Sequence, residues 1–205
     1  MKRRQFISAT VTGILVGEGL SIDAAGQEIK SKAITNKVAQ KPLKEIYVKP
    51  SGQDFTSGAK IRFEDTNNQL STWERVLRPR TMGPAPHLHK DLDEIMRVMK
   101  GKVAVLVGDQ VTYVEEGAWH LRPHGVVHTF WNESDEPATV LEIYPNQNFE
   151  VYLEEINQIL GQLRKNGIKP DSQEGINLID KLDKEWGVVT FHDQREGIRK
   201  KYGLK

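Results

Sequence analysis

From Glu45 to Pro145 the hydrophobic positions fall in short runs: EIYV, AKIRFED, STWERVLRP, EIMRVMKG, KVAVLVG, QVTYV, AWHLRP, VVHTFWN and ATVLEIYP. They are rich in β-branched and aromatic residues, and Gly, Pro, Asn or Asp punctuate them at intervals of roughly ten residues. This pattern predicts an antiparallel sandwich or barrel, because βαβ units would show helical stretches between the strands. Lys100-Gly101-Lys102, Gly108-Asp109, Glu116-Gly117 and the segment 132–137 are expected to act as hairpin turns.

After Pro145 the period changes. Phe149, Tyr152, Ile156, Ile159, Leu160 and Leu163 step by three and four, which marks one face of a helix. A second helix is expected to start at Asp171, after Pro170 and with Glu174 three residues on, carrying Ile176, Ile179, Leu182 and Trp186. Both faces need burial, and the β-structure is the available surface. The basic end, REGIRKKYGLK, is expected to fray or to lie on the surface.

The amino terminus reads differently. Lys2, Arg3 and Arg4 precede an apolar stretch from Phe6 to Val16, and small residues follow around Ala24, Ala25 and Gly26. That is the layout of an export signal, too short to span a bilayer and ended by Glu18. Arg3-Arg4-Gln5-Phe6-Ile7 resembles a twin-arginine signal, and a general secretory signal is the alternative. The expected organisation is an export signal over 1–25, a lysine-rich linker or arm over 26–44, a β-barrel over 45–146 and a helical extension over 147–205. The expected location is periplasmic or secreted, with no stable membrane insertion after cleavage.

Composition narrows the chemistry. Loss of residues 1–25 takes the formal net charge from +1 to 0, which leaves no electrostatic case for nucleic acid. The expected partner is a small molecule, with a homodimer possible through sheet edges. The absence of cysteine excludes disulfides, thiolate zinc sites and iron–sulfur clusters. Any metal must be held by histidine, carboxylate or carbonyl oxygen.

The stretch GPAPHLHKDLDEIMRVMKG, residues 83–101, places His87 and His89 on one face of a strand. KDLD is read as the turn of a hairpin whose return strand begins at Glu94, so that three side chains converge. GAWHLRPHGVVHTFWN, residues 117–132, adds His128 after a turn at Pro123-His124-Gly125.

These two stretches resemble the two motifs of the cupin superfamily. Gly83, His87, His89, Glu94 and Gly101 stand in the order of the first, although three residues instead of five separate Gly83 from His87. Gly117, Pro123, Gly125, His128 and Asn132 stand at the spacing of the second. The chain looks like single-domain bacterial quercetin-dioxygenase-like members with carboxy-terminal helices. The resemblance implies an all-β fold, a small antiparallel β-barrel of jelly-roll type with two or three helices packed on it. It also implies one metal held by His87, His89, Glu94 and His128.

Three imidazoles and a carboxylate suit one divalent transition metal, Fe, Mn, Ni, Cu or Zn, and leave two positions open on an octahedral ion. A metal-dependent dioxygenase acting on a small aromatic or enolisable substrate is the leading expectation, with Glu94 as ligand and, by analogy, catalytic base. A metal-dependent isomerase, epimerase or lyase on a sugar or small acid is the second, and a non-catalytic periplasmic binding protein the third. His120 is read as a surface or core imidazole, with a contact to substrate as the alternative, and His124 as exposed. Gly125 and Asn132 are read as serving the fold, Arg97 as facing outward. Trp73, Trp119, Trp131, Phe130, Met96 and Met99 are expected in the core or lining the mouth.

Overall fold

A computed structural model describes residues 44–49 and 57–205. The expected export signal and all of the linker except Lys44 lie outside the described residues. Eleven strands and three α-helices are described. Strands β1 (Gly58–Ala59), β2 (Leu70–Leu77), β5 (Glu94–Lys100), β8 (Trp119–Arg122) and β10 (Ala138–Pro145) form one antiparallel sheet, in the order β1-β2-β10-β5-β8. The second sheet contains β3 (Thr81–Met82), β4 (His87–His89), β6 (Lys102–Val107), β7 (Gln110–Glu115), β9 (His128–Asn132) and β11 (Val188–Thr190). It runs β11-β4-β9-β6-β7, with β3 also paired to β9. This is the expected jelly-roll barrel.

Three local readings change. EIYV, residues 45–48, forms no strand, and its Tyr47 is exposed. AKIRFED contributes only the end of β1 before a 3-10 turn over Phe63–Thr66, where the Asp65 carboxylate accepts from Arg62 N. Of the expected hairpins only Gly108-Asp109 joins paired neighbours, β6 and β7. The turns at Gly101, Gly117 and 132–137 carry the chain from one sheet to the other, as a jelly roll requires. The same holds for KDLD: β4 and β5 lie in different sheets, and Leu92 is pulled into the core where the chain crosses.

Alternation then fills the space between the sheets. Leu77, Met96, Val98, Val103, Val105, Val114, Phe130, Ala138 and Val140 make an apolar cluster. Asn132 is fully buried here and serves the fold: its Nδ2 donates to Leu77 O, Arg78 O and Glu136 O, and its Oδ1 accepts from Ser134. Trp73, Trp131, Phe130 and Met96 are buried as expected, but Trp119 and Met99 are exposed, because both stand on the outward parity of their strands. Arg97 shares that parity, with its guanidinium over the Trp119 ring at 5.3 Å.

Helices α1 (Phe149–Lys165), α2 (Gln173–Glu185) and α3 (Gln194–Tyr202) follow. The cap of α2 is Ser172, one residue beyond Asp171, and its hydroxyl accepts from Gly175 N. Phe149 and Leu153 of α1 pack with Trp73, Leu92, Tyr144 and Val188. The basic end forms the helix α3: Tyr202 packs on Trp131 at 4.5 Å and Leu204 is buried against the second sheet. Its apolar side had a surface to cover, since Ala104, Met82 and Trp131 point outward there.

Candidate metal centre

β4 presents His87 and His89 inward with Leu88 between them turned away, and His87 stands opposite His128 of β9. From the facing sheet, β5 presents Glu94. All four residues are buried, and one ligand atom from each lies within 4.8 Å of the others. Convergence therefore takes place across the barrel and not within one hairpin. Gly125, at φ 71°, lets the β8–β9 turn fold so that its N–H donates to His89 O at 2.7 Å, which ties the second motif to the first.

The ring orientations suit ligation. His87 Nδ1 and His128 Nδ1 lie 2.9 and 3.0 Å from the carbonyls of Ala85 and Val126. A neutral imidazole has one N–H, so donation there turns a lone pair at Nε2 toward the cluster. His128 Nε2 is 2.9 Å from Glu94 Oε2, and His89 Nε2 is 3.5 Å from Glu94 Oε1. Donors about 2.1 Å from one ion are about 3.0 Å apart at right angles and about 3.4 Å apart at tetrahedral angles, so these separations match those of a shared ion. His89 Nε2 is buried with no hydrogen-bond partner among the described residues. The donor set fits a divalent transition metal.

Charge around the cluster was not foreseen. Arg122 of β8 is fully buried: its Nε is 3.1 Å from Glu94 Oε2 and its Nη2 donates to Glu142 Oε1 at 2.7 Å. Arg75 Nε donates to the other Glu142 oxygen at 3.0 Å. Two carboxylates and two guanidiniums thus alternate across β5, β8, β10 and β2. The available signal was opposite charges at inward parity on separate strands, which becomes readable only when strand neighbours are known. Burial pushes the Glu94 carboxyl up, but Arg122, His89 and His128 outweigh it and hold it well below the usual carboxylate range. Burial, with His128 and His89 adding to it, holds the His87 imidazole well below its ordinary value.

On the side of α1 the cluster is walled by aromatic rings. Phe149 meets His89 edge-on at 4.9 Å, and Tyr144, Tyr152 and Trp186 surround Phe149. β11 pairs with β4, setting Val188 opposite His89 and Thr190 opposite His87. Of the other histidines, His124 is exposed, with its Nδ1 2.7 Å from Asp93. His120 is partly buried on the inward face of β8.

Solved structures similar to the chain include a cupin protein from Bacteroides fragilis, 20% identical over 51% of this chain and 85% of that one, TM-score 0.42. A double-stranded β-helix domain protein from Klebsiella pneumoniae is 21% identical over 50% and 85%, TM-score 0.40. A sugar phosphate isomerase of the cupin superfamily from Silicibacter pomeroyi is 24% identical over 42% and 57%, TM-score 0.38. No curated protein matches the chain. Residues 73–144, which run from Trp73 in β2 to Tyr144 in β10 and hold all four members of the cluster, match the Cupin_2 family model, a cupin domain.

Proposed function

We propose that His87, His89, Glu94 and His128 hold one divalent transition metal, and that the protein is an exported metal-dependent oxygenase acting on a small aromatic or enolisable substrate. The observation that carries this reading is the convergence of four buried donors within 4.8 Å, drawn from both sheets. The resemblance to quercetin-dioxygenase-like sequences and the aromatic wall at Phe149, Tyr144 and Tyr152 support the reaction class. The basic, apolar and small-residue layout of residues 1–26 supports export.

When bound, the metal supplies Lewis acidity toward a substrate oxygen and, if redox-active, a means of engaging dioxygen. The chain's own part is to hold and exclude. The carbonyls of Ala85 and Val126 fix two imidazoles, Arg122 anchors Glu94, and the rings of α1 keep bulk water from the site.

Elemental mass spectrometry on protein from its native host, with an oxygen electrode and a panel of flavonols, catechols and enolisable acids, tests this. Near-stoichiometric metal with oxygen uptake is the expected result, and His89→Ala should lose the metal while staying folded. Stoichiometric metal without uptake would instead indicate an isomerase or lyase, and absence of metal would leave a binding protein.

A further inference from the structure

Of three nitrogen atoms on the inner face of β8 without a hydrogen bond among the described residues, Arg122 Nε is ion-paired with Glu94 Oε2 at 3.1 Å and the other two lack a partner. Arg122 Nη1 and His120 Nδ1 are both buried with no hydrogen bond among the described residues. The two residues stand two apart on one strand, opposite Glu94 and Met96 of β5, so both side chains point into the barrel. Arg122 reaches the cluster through Glu94 at 3.1 Å. His120 lies near enough to Arg122 and His128 that, after burial itself, both oppose its protonation. A buried polar atom without a partner is costly, and with Arg122 Nη2 donating to Glu142 and Nε ion-paired with Glu94, Nη1 still requires an oxygen acceptor.

The charge balance indicates which acceptor. Glu94 and Glu142 are matched by Arg122 and Arg75, and imidazole ligands add no charge on binding a metal. A divalent ion therefore leaves two uncompensated positive charges in a buried setting, where an anion is favoured over a neutral molecule. Such an anion has its acceptor oxygens beside the ion and the arginine.

We propose that His120 and Arg122 form an oxyanion subsite beside the metal centre, and that the substrate is a small carboxylic acid, its carboxylate on Arg122 Nη1 and its polar edge on His120. This rests on the proposed metal site and narrows its substrate class from small aromatic or enolisable compounds to small carboxylic acids.

The test uses full-length protein loaded with Co(II), titrated with oxalate and separately with neutral catechol, and followed by calorimetry and by the cobalt absorption spectrum. Oxalate should bind and shift the spectrum, with catechol at least tenfold weaker. His120→Leu, at a partly exposed position, and Arg122→Lys, which keeps the charge, should each retain cobalt and weaken oxalate about tenfold or more. Equal oxalate affinity in wild type and both variants would mean that the anion sits on the metal alone, or that water satisfies the two nitrogens, and would overturn the subsite. Cobalt binding with no oxalate binding would overturn it also. If wild-type protein binds no cobalt, the metal reading itself fails and the subsite falls with it, an outcome the spectrum distinguishes before any oxalate is added. Should Arg122→Lys fail to fold, His120→Leu decides the question alone.

Discussion

A methyl group placed on Gly83 would meet Phe130 Cε2 at 2.8 Å and Phe130 O at 3.0 Å. Gly83 N also donates to Phe130 O at 2.9 Å, so the two backbones cannot separate freely. Phe130 in turn lies beneath the Arg122 guanidinium at 4.9 Å, which links this glycine to the buried charges. Gly83→Ala should therefore cost about 1–3 kcal/mol in urea denaturation, the range of a core forced to admit one methyl. An unchanged midpoint would show that the Phe130 ring yields without strain. At this scale His87 and His89 were legible as a pair on one face, because side-chain parity on a strand follows from counting residues, and the resemblance of the two motifs added Glu94 and His128. Arg75, Arg122 and Glu142 were not, because counting does not say which charge will face which.

At the level of elements, β11 and the helices beside it complete the barrel around the ligand strand. Asp183 of α2 accepts from Tyr152 Oη of α1 at 2.8 Å and from Thr190 Oγ1 of β11 at 2.6 Å, joining three elements through one carboxylate. Burial pushes the Asp183 carboxyl up, against the lowering by Thr190 and Tyr152, while Asp180 adds to the rise and His192 opposes it. The folded protein thus binds this proton more readily than the unfolded chain. The resulting stabilisation is present in acid and is lost as pH rises through the folded pKa, above the ordinary aspartate value. Asp183→Asn removes that dependence. The stability of wild type relative to the variant should fall between pH 4 and pH 7, read from urea midpoints of both proteins at both values. A difference that stays constant would show that Asp183 binds its proton equally in the folded and unfolded chain, with no raised pKa. β11 itself escaped the sequence reading: three residues, VVT, between two helical patterns are too few for a period, and their strand state comes from pairing with β4. α1 and α2 were legible because each runs for several turns with one apolar face.

For the molecule as a whole, the proposed ion would bridge the two sheets, since His87, His89 and His128 come from one and Glu94 from the other. A ligand that binds only the folded form stabilises it by about 4 kcal/mol at a thousandfold excess over its Kd. For a domain of this size that corresponds to a rise in Tm on the order of 10 °C. Scanning calorimetry of chelated protein with and without added Mn(II) or Co(II) should show this rise, and His89→Ala should abolish it. A Tm indifferent to metal would contradict tight binding at the cluster.

The sequence by itself determined the strand-rich class, the two long helices, the shared face of His87 and His89 and, through the resemblance of its two motifs, the candidate set completed by Glu94 and His128. These are local properties, set by side-chain period, turn chemistry and donor type. Only the tertiary structure decided that β4 and β5 face each other from different sheets, that β11 flanks the ligand strand, and that α3 packs by its apolar side where an end that frays or lies on the surface was expected. It also decided that Arg122 stands between Glu94 and Glu142. The physical reason is the same in each case: alternation fixes which way a side chain points, whereas its partner depends on which strand the chain brings alongside or opposite, and those pairings span tens of residues.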